Sequence, residues 1–215
     1  MQARSAAARP STAKEIASEG LGPQLRLARE QKGVTVRQLA RRAGVSPSLV
    51  SQVERGLATP SVGTLLAIAN ELGLEIGDLF KFGARTGLTP GPVQRGSSRK
   101  AIRMASGVRW ERLTPAPDPE VEFLYALYDV NSASCGEDAM LRHGGKEYGY
   151  LLSGRLGVKI GFEEYELRPG DAISFDAQIP HRLWCIGARP AVAIWAVVRR
   201  QGDVRQAHAQ AARDG

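Results

Sequence analysis

Two short clusters in the second half of the chain contain side chains that can bind a metal ion. His143 and Glu147 are four residues apart in LRHGGKEYGYLLSG (141–154), and His181 follows Pro180 in LRPGDAISFDAQIPHRL (167–183). Two imidazoles and a carboxylate are suitable ligands for zinc, iron, nickel or manganese. An isolated histidine is more often an ordinary polar residue, so the metal hypothesis requires the two clusters to meet in the fold.

A second set of polar side chains lies in the first half of the chain, in SPSLVSQVERG (46–56). Val50 and Val53, three residues apart, give a predicted helix one apolar face. The opposite face carries Ser48, Ser51, Gln52 and Arg55. Such a face suits the major groove of DNA, because glutamine can pair with adenine through two hydrogen bonds and serine can bond to several bases. An ordinary helical bundle with a polar surface is the competing interpretation.

The elements that must position these side chains differ between the two halves. Residues 21–80 show helical apolar periodicity, with Thr35, Ser46 and Ser61 at predicted N-caps and Pro47 at a first helical position. From about residue 106 the apolar period becomes two, and Gly- or Pro-containing turns separate most of the short runs. This pattern predicts an all-β sandwich or barrel after an all-α region.

Alternation along the strand that begins at His181 predicts that Leu183 and Cys185 point inward with it. Cys185 then has three interpretations. It is a fourth metal ligand, a redox sensor, or a small buried apolar residue, and the last is the most common state of an inward cysteine.

Charge and composition narrow the classes of protein. Residues 1–105 contain 16 basic and seven acidic side chains, whereas residues 106–198 contain nine and 13. The basic half predicts a polyanion partner, and a solvated surface without a partner is the alternative. No apolar run approaches the ~20 residues that span a bilayer. The N-terminal sequence lacks a secretory pattern, and with two cysteines we expect a cytoplasmic protein without membrane attachment.

Residues 22–80 resemble the phage-repressor (Xre-type) helix-turn-helix family. The matching stretch is TVRQLARRAGVSPSLVSQVERGLATPSVGTLLAIANELGLEIGDLF, and its Glu54-Arg55-Gly56 ending followed by Pro60 is specific to that family. The resemblance implies five helices, with the third as the recognition helix and double-stranded DNA as partner. The DNA-binding residues it implies are Thr35, Arg37, Ser46, Pro47, Ser48, Ser51, Gln52 and Arg55.

Residues 106–198 resemble the cupin superfamily, through His143, Glu147 and Gly154 in its first motif and Pro169, Gly170, Pro180 and His181 in its second. The resemblance implies a double-stranded β-helix, or jelly roll, around a pocket. Leu141 stands where the family has its first histidine, so three of four ligands remain. The implied effector pocket contains His143, Glu147, His181, Leu141, Leu183 and Cys185, and it holds either a divalent metal or a metal-free organic ligand.

The expected organisation is a disordered arm (1–20), a helix-turn-helix domain (21–82), a basic flexible linker (83–105), a cupin sensor domain (106–198) and a tail (199–215). The resemblance of this arrangement to a group of bacterial regulators predicts a transcription regulator that is not an enzyme. A small-molecule metabolite would bind the cupin and alter operator binding. We expect a homodimer joined through the cupin sheets, because one repressor-like domain reads only one half-site.

Two other functions remain open from sequence. The first is a metal-dependent cupin enzyme, an oxygenase or isomerase, fused to a DNA-binding domain. The missing first histidine disfavours it. The second is an interaction module of the toxin–antitoxin type, in which the helical domain binds a protein. The basic first half of the chain favours DNA over that interpretation.

Overall fold

The computed structural model describes residues 20–80 and 91–199, and it has an all-α part followed by an all-β part. The helices are α1 (Leu21–Gln31), α2 (Val36–Arg42), α3 (Pro47–Glu54), α4 (Val62–Leu72) and α5 (Ile76–Leu79). The strands are β1 (Ala101–Arg103), β2 (Val108–Arg112), β3 (Val121–Tyr128), β4 (Lys146–Ser153), β5 (Leu156–Ile160), β6 (Glu163–Leu167), β7 (Ala172–Asp176), β8 (His181–Cys185) and β9 (Ala191–Val198). Both predicted fold classes are confirmed.

The helices begin where the sequence places their caps. Thr35 Oγ1 accepts a hydrogen bond from the Gln38 amide, and Ser46 Oγ accepts one from the Leu49 amide. Ser61 caps α4 in the same way through Thr64. These hydroxyls satisfy amides that the first turn of a helix leaves unpaired, and each such cap stabilises a helix by about 1 kcal/mol.

Leu21 and Leu25 of α1 are buried in the helical core, whereas Leu27 is 53% exposed. Val50, Val53 and the small residue Ala40 are buried, as the tight packing of α2 against α3 requires.

The strands form two antiparallel sheets. One has six strands in the order β1-β2-β3-β9-β4-β7, and the other has three in the order β6-β5-β8. Along β8 the burial alternates, with His181, Leu183 and Cys185 inside. Alternating side chains of both sheets fill the interior, as in a jelly roll.

The barrel is longer than the sequence indicates at both ends. Residues 96–98 form a 3-10 turn, and Ala101–Arg103 pair with β2, so the sheet begins inside the predicted linker 83–105. The Arg199 amide donates to the Glu120 carbonyl, which joins the predicted first residue of the tail to the sheet. A three-residue strand carries too little periodicity to be recognised in sequence. Residues 1–19, 81–90 and 200–215 lie outside the described residues, so the predicted arm except Gly20, the first part of the predicted linker (83–90) and the predicted tail except Arg199 are not described.

The helical domain packs directly on the barrel. The sequence, which predicts a flexible linker between the two domains, did not indicate this contact. The Gly63 amide donates to the Ser134 carbonyl at 3.0 Å, and the Ala105 amide donates to Pro60 at 3.0 Å. The Gly77 amide donates to Oε1 of buried Glu122 at 2.8 Å. Apolar side chains of both domains join in one continuous core. Within the described ranges, no helix has the length and apolarity needed to cross a bilayer.

Candidate functional site

The outer face of α3 is exposed in the described part of the chain. Ser48, Gln52 and Arg55 are exposed, while Val50 and Val53 on the opposite face are buried. Gln52 Nε2 donates to Ser48 Oγ at 3.3 Å, one helical turn away. The two predicted base-contacting side chains therefore hold each other in place in the absence of a partner.

The remaining predicted DNA-binding residues surround this face. Arg37 and Pro47 are exposed, and Ser51 is half-buried. Thr35 and Ser46 use their hydroxyls to cap α2 and α3. Their hydroxyls therefore fix the first turns of α2 and α3.

A buried ion pair holds α3 against α1. Arg29 Nε lies 2.6 Å from Glu54 Oε1, and Arg29 Nη2 lies 3.0 Å from Glu54 Oε2. Arg29 Nη1 also donates to the Val34 carbonyl at 2.9 Å. A bidentate pair of this kind fixes the orientation of both helices, because its two parallel hydrogen bonds define a plane.

Inside the barrel, the two predicted metal-ligand clusters meet. His143 Nε2 lies 2.8 Å and His181 Nε2 lies 3.2 Å from the same oxygen, Oε1 of Glu147. One ligand atom from each of the three residues lies within 4.8 Å of the others. His181 and Glu147 are almost fully buried, and β4 and β8 carry them toward a common interior point.

Backbone carbonyls define the tautomers of the two histidines. His143 Nδ1 lies 3.1 Å from the Gly144 carbonyl, and His181 Nδ1 lies 2.9 Å from the Ile179 carbonyl. A carbonyl oxygen can only accept, so each Nδ1 carries a hydrogen. Each Nε2 faces Glu147 Oε1, to which it donates when it also carries a hydrogen, and a metal ion at this point would take the place of that hydrogen. Metal-binding histidines commonly use this arrangement, with Nδ1–H on a carbonyl and Nε2 on the ion.

This donor set fits a divalent metal. Two nitrogens and one carboxylate oxygen face one point, and a site with three protein ligands keeps positions open for water or a small molecule. When bound, such an ion supplies Lewis acidity and a place for an exchangeable ligand. Leu141 pairs with His181 through its backbone and lines the space with an aliphatic side chain that cannot ligate.

Charges within the cluster change the pKa values of its members. Burial raises the pKa of Glu147, but hydrogen bonds from His143 and His181 outweigh burial and lower that pKa to about 2. For His143, burial lowers the pKa, but the hydrogen bond and charge of Glu147 outweigh it and raise the pKa above its ordinary value. The buried carboxylate is therefore ionised at neutral pH, as a metal ligand must be.

The other carboxylate oxygen of Glu147 is fixed by an aromatic residue. Trp195 Nε1 donates to Glu147 Oε2 at 2.6 Å. The indole lies across Gly149, its register partner in β4, where a Cβ atom would stand 2.1 Å from the ring. Glycine at this position thus allows the indole to reach the carboxylate.

A small cavity of about 30 Å³ surrounds the cluster, and both domains line it. Leu141 and Leu183 are among its walls, as predicted, together with Tyr128, Leu124, Trp110 and Val197. Val62, Leu66 and Ile76 of the helical domain form a further wall.

Cys185 is not among the residues that line this cavity, which corrects the prediction for that residue. It is buried, but it lies at the far end of β8, where its thiol donates to the Arg189 carbonyl at 3.3 Å. Burial raises the pKa of the Cys185 thiol. A protonated buried thiol is a poor nucleophile and a poor metal ligand, so Cys185 acts as a small apolar residue.

Comparisons with known proteins agree with both parts of the fold. A helix-turn-helix family model matches residues 25–79, and a cupin domain family model matches residues 133–197. The chain therefore carries an Xre-type helix-turn-helix domain at its N-terminus and a cupin domain at its C-terminus.

The chain is also similar to curated transcriptional regulators. The HTH-type transcriptional regulator PuuR of Escherichia coli is 25% identical over 170 residues, covering 77% of this chain and 89% of PuuR. An uncharacterized HTH-type transcriptional regulator of Mycobacterium tuberculosis, Rv0474, is 41% identical over 96 residues, covering 45% of this chain and 66% of Rv0474.

The fold also matches a solved structure. An HTH_3 family transcriptional regulator from Vibrio cholerae superposes with a TM-score of 0.65 at 22% identity, covering 86% of this chain and 98% of that one. At this identity the likeness supports the fold of the chain.

Sequence reasoning missed the residues that join the domains. Arg199 forms ion pairs with both Glu122 and Glu75 and so connects β9, β3 and the start of α5. Alternation along β3 places Glu122 inside among apolar neighbours, and that buried acidic position was the available signal. Nothing in the sequence identified its partners.

Proposed function

We propose that this protein is a sequence-specific DNA-binding transcription regulator whose cupin domain binds a small-molecule effector, with or without a divalent metal. The observation that carries the first part is the exposed face of α3. Ser48 and Gln52 lie on that face with no core role, while the Arg29–Glu54 ion pair fixes the helix behind them. A helix that is held rigidly and exposes an amide, hydroxyls and a guanidinium matches the requirements of a major-groove reader.

Chromatin immunoprecipitation of the tagged protein in its native host tests this part. We expect occupancy at discrete chromosomal sites that share a sequence, and Gln52→Ala should abolish or shift that sequence. Uniform low occupancy in the wild type would show that the protein does not read sequence.

The buried cluster supports the effector role. An ionised carboxylate and two imidazoles are costly to bury, because buried polar groups need partners and these groups find them mainly in each other. A barrel with a purely structural role gains nothing from this arrangement over an apolar interior. The cluster lies in a cavity with apolar walls, the usual character of a small-molecule site.

A His143→Ala/His181→Ala double variant tests the effector role. It should fold, occupy the same chromosomal sites, and lose any dependence of a reporter gene on growth conditions. An unchanged response across a panel of media would remove this site from the mechanism.

The outer face of the six-stranded sheet supports a homodimer. Phe123, Tyr148, Tyr150, Leu152 and Val198 are 38–47% exposed on this face, and the strands β3, β9 and β4 place them side by side. A contiguous apolar surface of this kind marks an interaction site. A second copy is the proposed occupant, because a two-fold dimer brings two α3 helices to the two halves of an operator.

The enzyme alternative retains one supporting observation, the three-ligand cluster with open positions. Its test is turnover by protein loaded with iron(II), measured as oxygen consumption across a set of small-molecule candidates. Stoichiometric binding without turnover supports the sensor.

A further inference from the structure

The helical domain closes the cupin cavity. Val62, Leu66 and Ile76 come from α4 and α5, and they form one wall of the space around His143, Glu147 and His181. The cavity volume of about 30 Å³ is far below the roughly 300 Å³ at which ordinary ligand pockets begin, so the cavity is too small for most organic molecules. A small-molecule effector cannot enter while α4 and α5 lie in this position.

A larger cleft adjoins the cavity at the domain boundary. Its volume is about 220 Å³, and its walls include α4, the start of α5, Glu122 and Arg199. The cleft and the cavity share four residues, which are Leu66, Ile76, His143 and Val197. These side chains lie on the boundary between the two spaces. Movement of Leu66 and Ile76 with their helices would merge them.

We propose that the cavity and the cleft are two halves of one effector site shared by both domains, and that effector entry moves α4 and α5 away from the barrel. This inference rests on the proposed function and names how its site is built and regulated. The merged volume of about 250 Å³, before any widening, is close to the lower end of ordinary ligand pockets.

The walls define the chemistry of the ligand. Trp110, Leu124, Ala126, Leu183 and Val197 make the barrel side mostly apolar, whereas His143, Glu147 and His181 supply one polar end. The cavity half therefore takes the apolar body of a compact molecule, with one polar group bonded to the histidine–glutamate cluster or to a metal held there. Its other end faces the charged side chains of Glu75, Glu122 and Arg199 in the cleft half. A highly polar ligand such as a sugar would leave its hydroxyls unpaired against the apolar walls of the cavity half.

A displacement of α4 also displaces α3, the proposed DNA-reading helix. α4 packs on α1 and α2, and α3 is tied to α1 through Arg29 and Glu54, so the helices move as one body. In the described part of the chain, polar contacts between the helical domain and the barrel include Gly63 to Ser134, Pro60 to Ala105, Gly77 to Glu122 and Glu75 to Arg199. A ligand that binds only the open arrangement shifts the population toward it and changes the spacing of the two α3 helices in a dimer.

An engineered disulfide provides the test. A Cβ atom added at Gly63 would stand 3.3 Å from Cβ of Cys135, which is close to the separation in disulfides. Oxidised Gly63→Cys would therefore fasten α4 to the barrel in the full-length chain. The control is Gly63→Cys/Cys135→Ser, which carries the same change in α4 but cannot form this bond. Cys185 is present in both proteins.

The probe is diethyl pyrocarbonate, which is much larger than the closed cavity and modifies imidazole nitrogens. The rate of carbethoxylation of His181, which is 1% exposed, is measured by peptide mapping. We expect labelling at least about tenfold slower in oxidised than in reduced Gly63→Cys, because local opening controls access to buried groups. The oxidant should not alter the rate in the control.

Equal His181 labelling in the oxidised and reduced proteins would overturn the proposal, and so would failure of the disulfide to form, since that would contradict the approach of α4 to Cys135. Chromosomal occupancy of the wild type is scored separately. Loss of specific occupancy would refute the regulator role without affecting the labelling result, and unchanged labelling with normal occupancy would refute only the shared site.

Discussion

Trp195 donates a hydrogen bond of 2.6 Å through Nε1 to Oε2 of Glu147, which leaves Oε1 of the same carboxylate to face His143 and His181. The indole thus orients the carboxylate from the side opposite the imidazoles. A hydrogen bond to a ligating group from outside the ligand set commonly changes metal affinity tenfold or more.

Trp195→Phe should therefore weaken Co²⁺ binding by about tenfold while leaving three ligands in place. The measurement is a Co²⁺ titration followed by visible absorption. The matched control is Trp184→Phe, which changes the indole that covers Gly157 and lies outside the cavity lining. Equal affinities in the wild type and Trp195→Phe would show that the hydrogen bond does not orient a metal ligand.

The lowered pKa of Glu147 predicts an acid-dependent loss of stability. The folded-state pKa of about 2 lies below the ordinary 4.5, so ionised Glu147 stabilises the fold above about pH 5. This contribution is lost as the pH falls from about 5 toward 2, and it is on the order of 3 kcal/mol. Urea denaturation at a series of pH values should show a shallower decline for Glu147→Gln than for the wild type. Parallel declines would contradict the ionised, hydrogen-bonded state of this carboxyl.

The outer sheet face predicts a specific pattern of oligomer disruption. Tyr150→Lys places a charge in the middle of the apolar face, where burial against a second copy would desolvate it. Sedimentation velocity should show a dimer dissociation constant that is at least about tenfold higher than that of the wild type. Phe162→Lys makes the same kind of change at a fully exposed position of the β5–β6 hairpin and should leave the dimer intact. If Phe162→Lys dissociates the dimer and Tyr150→Lys does not, the interface lies on the three-stranded sheet instead.

Arg55 is exposed at the end of α3 and donates through Nε to the Ser51 carbonyl at 3.1 Å. We expect it to contact phosphate, so Arg55→Ala should weaken binding to all duplexes to a similar extent. The dependence of log affinity on log salt should become shallower by about 1. Fluorescence anisotropy at several salt concentrations, with a specific and a scrambled duplex, measures both effects. A loss confined to the specific duplex would instead make Arg55 a base reader.

The sequence predicted those features that depend on local chemistry. Thr35, Ser46 and Ser61 are N-caps in the structure because their hydroxyls satisfy nearby amides, and such pairs are only three residues apart. Alternation along β8 placed His181 and Leu183 inside, because side chains of a strand point to opposite faces in turn. The meeting of His143, Glu147 and His181 followed from the cupin resemblance and could not have followed from spacing alone.

Features that depend on distant contacts were not predictable. The ties of Arg199 to Glu75 and Glu122 join residues more than 70 positions apart, and no local pattern encodes such a pairing. The same holds for Leu66 and Ile76, whose periodicity predicts burial but does not show whether the helical core or the barrel covers them. Cys185 was correctly placed inside, but its distance from the cavity along β8 depends on where the barrel closes.

Selection of duplexes from a random-sequence library, with the wild type and Gln52→Ala in parallel, tests the central claim most directly. The account predicts that the wild type enriches a motif with two symmetric half-sites, and that Gln52→Ala relaxes one base pair in each half-site at a cost of about 1–3 kcal/mol there. The remaining positions of the motif should stay unchanged. Absence of any enriched motif, or an identical motif for both proteins, would contradict the assignment of α3 as the helix that reads DNA.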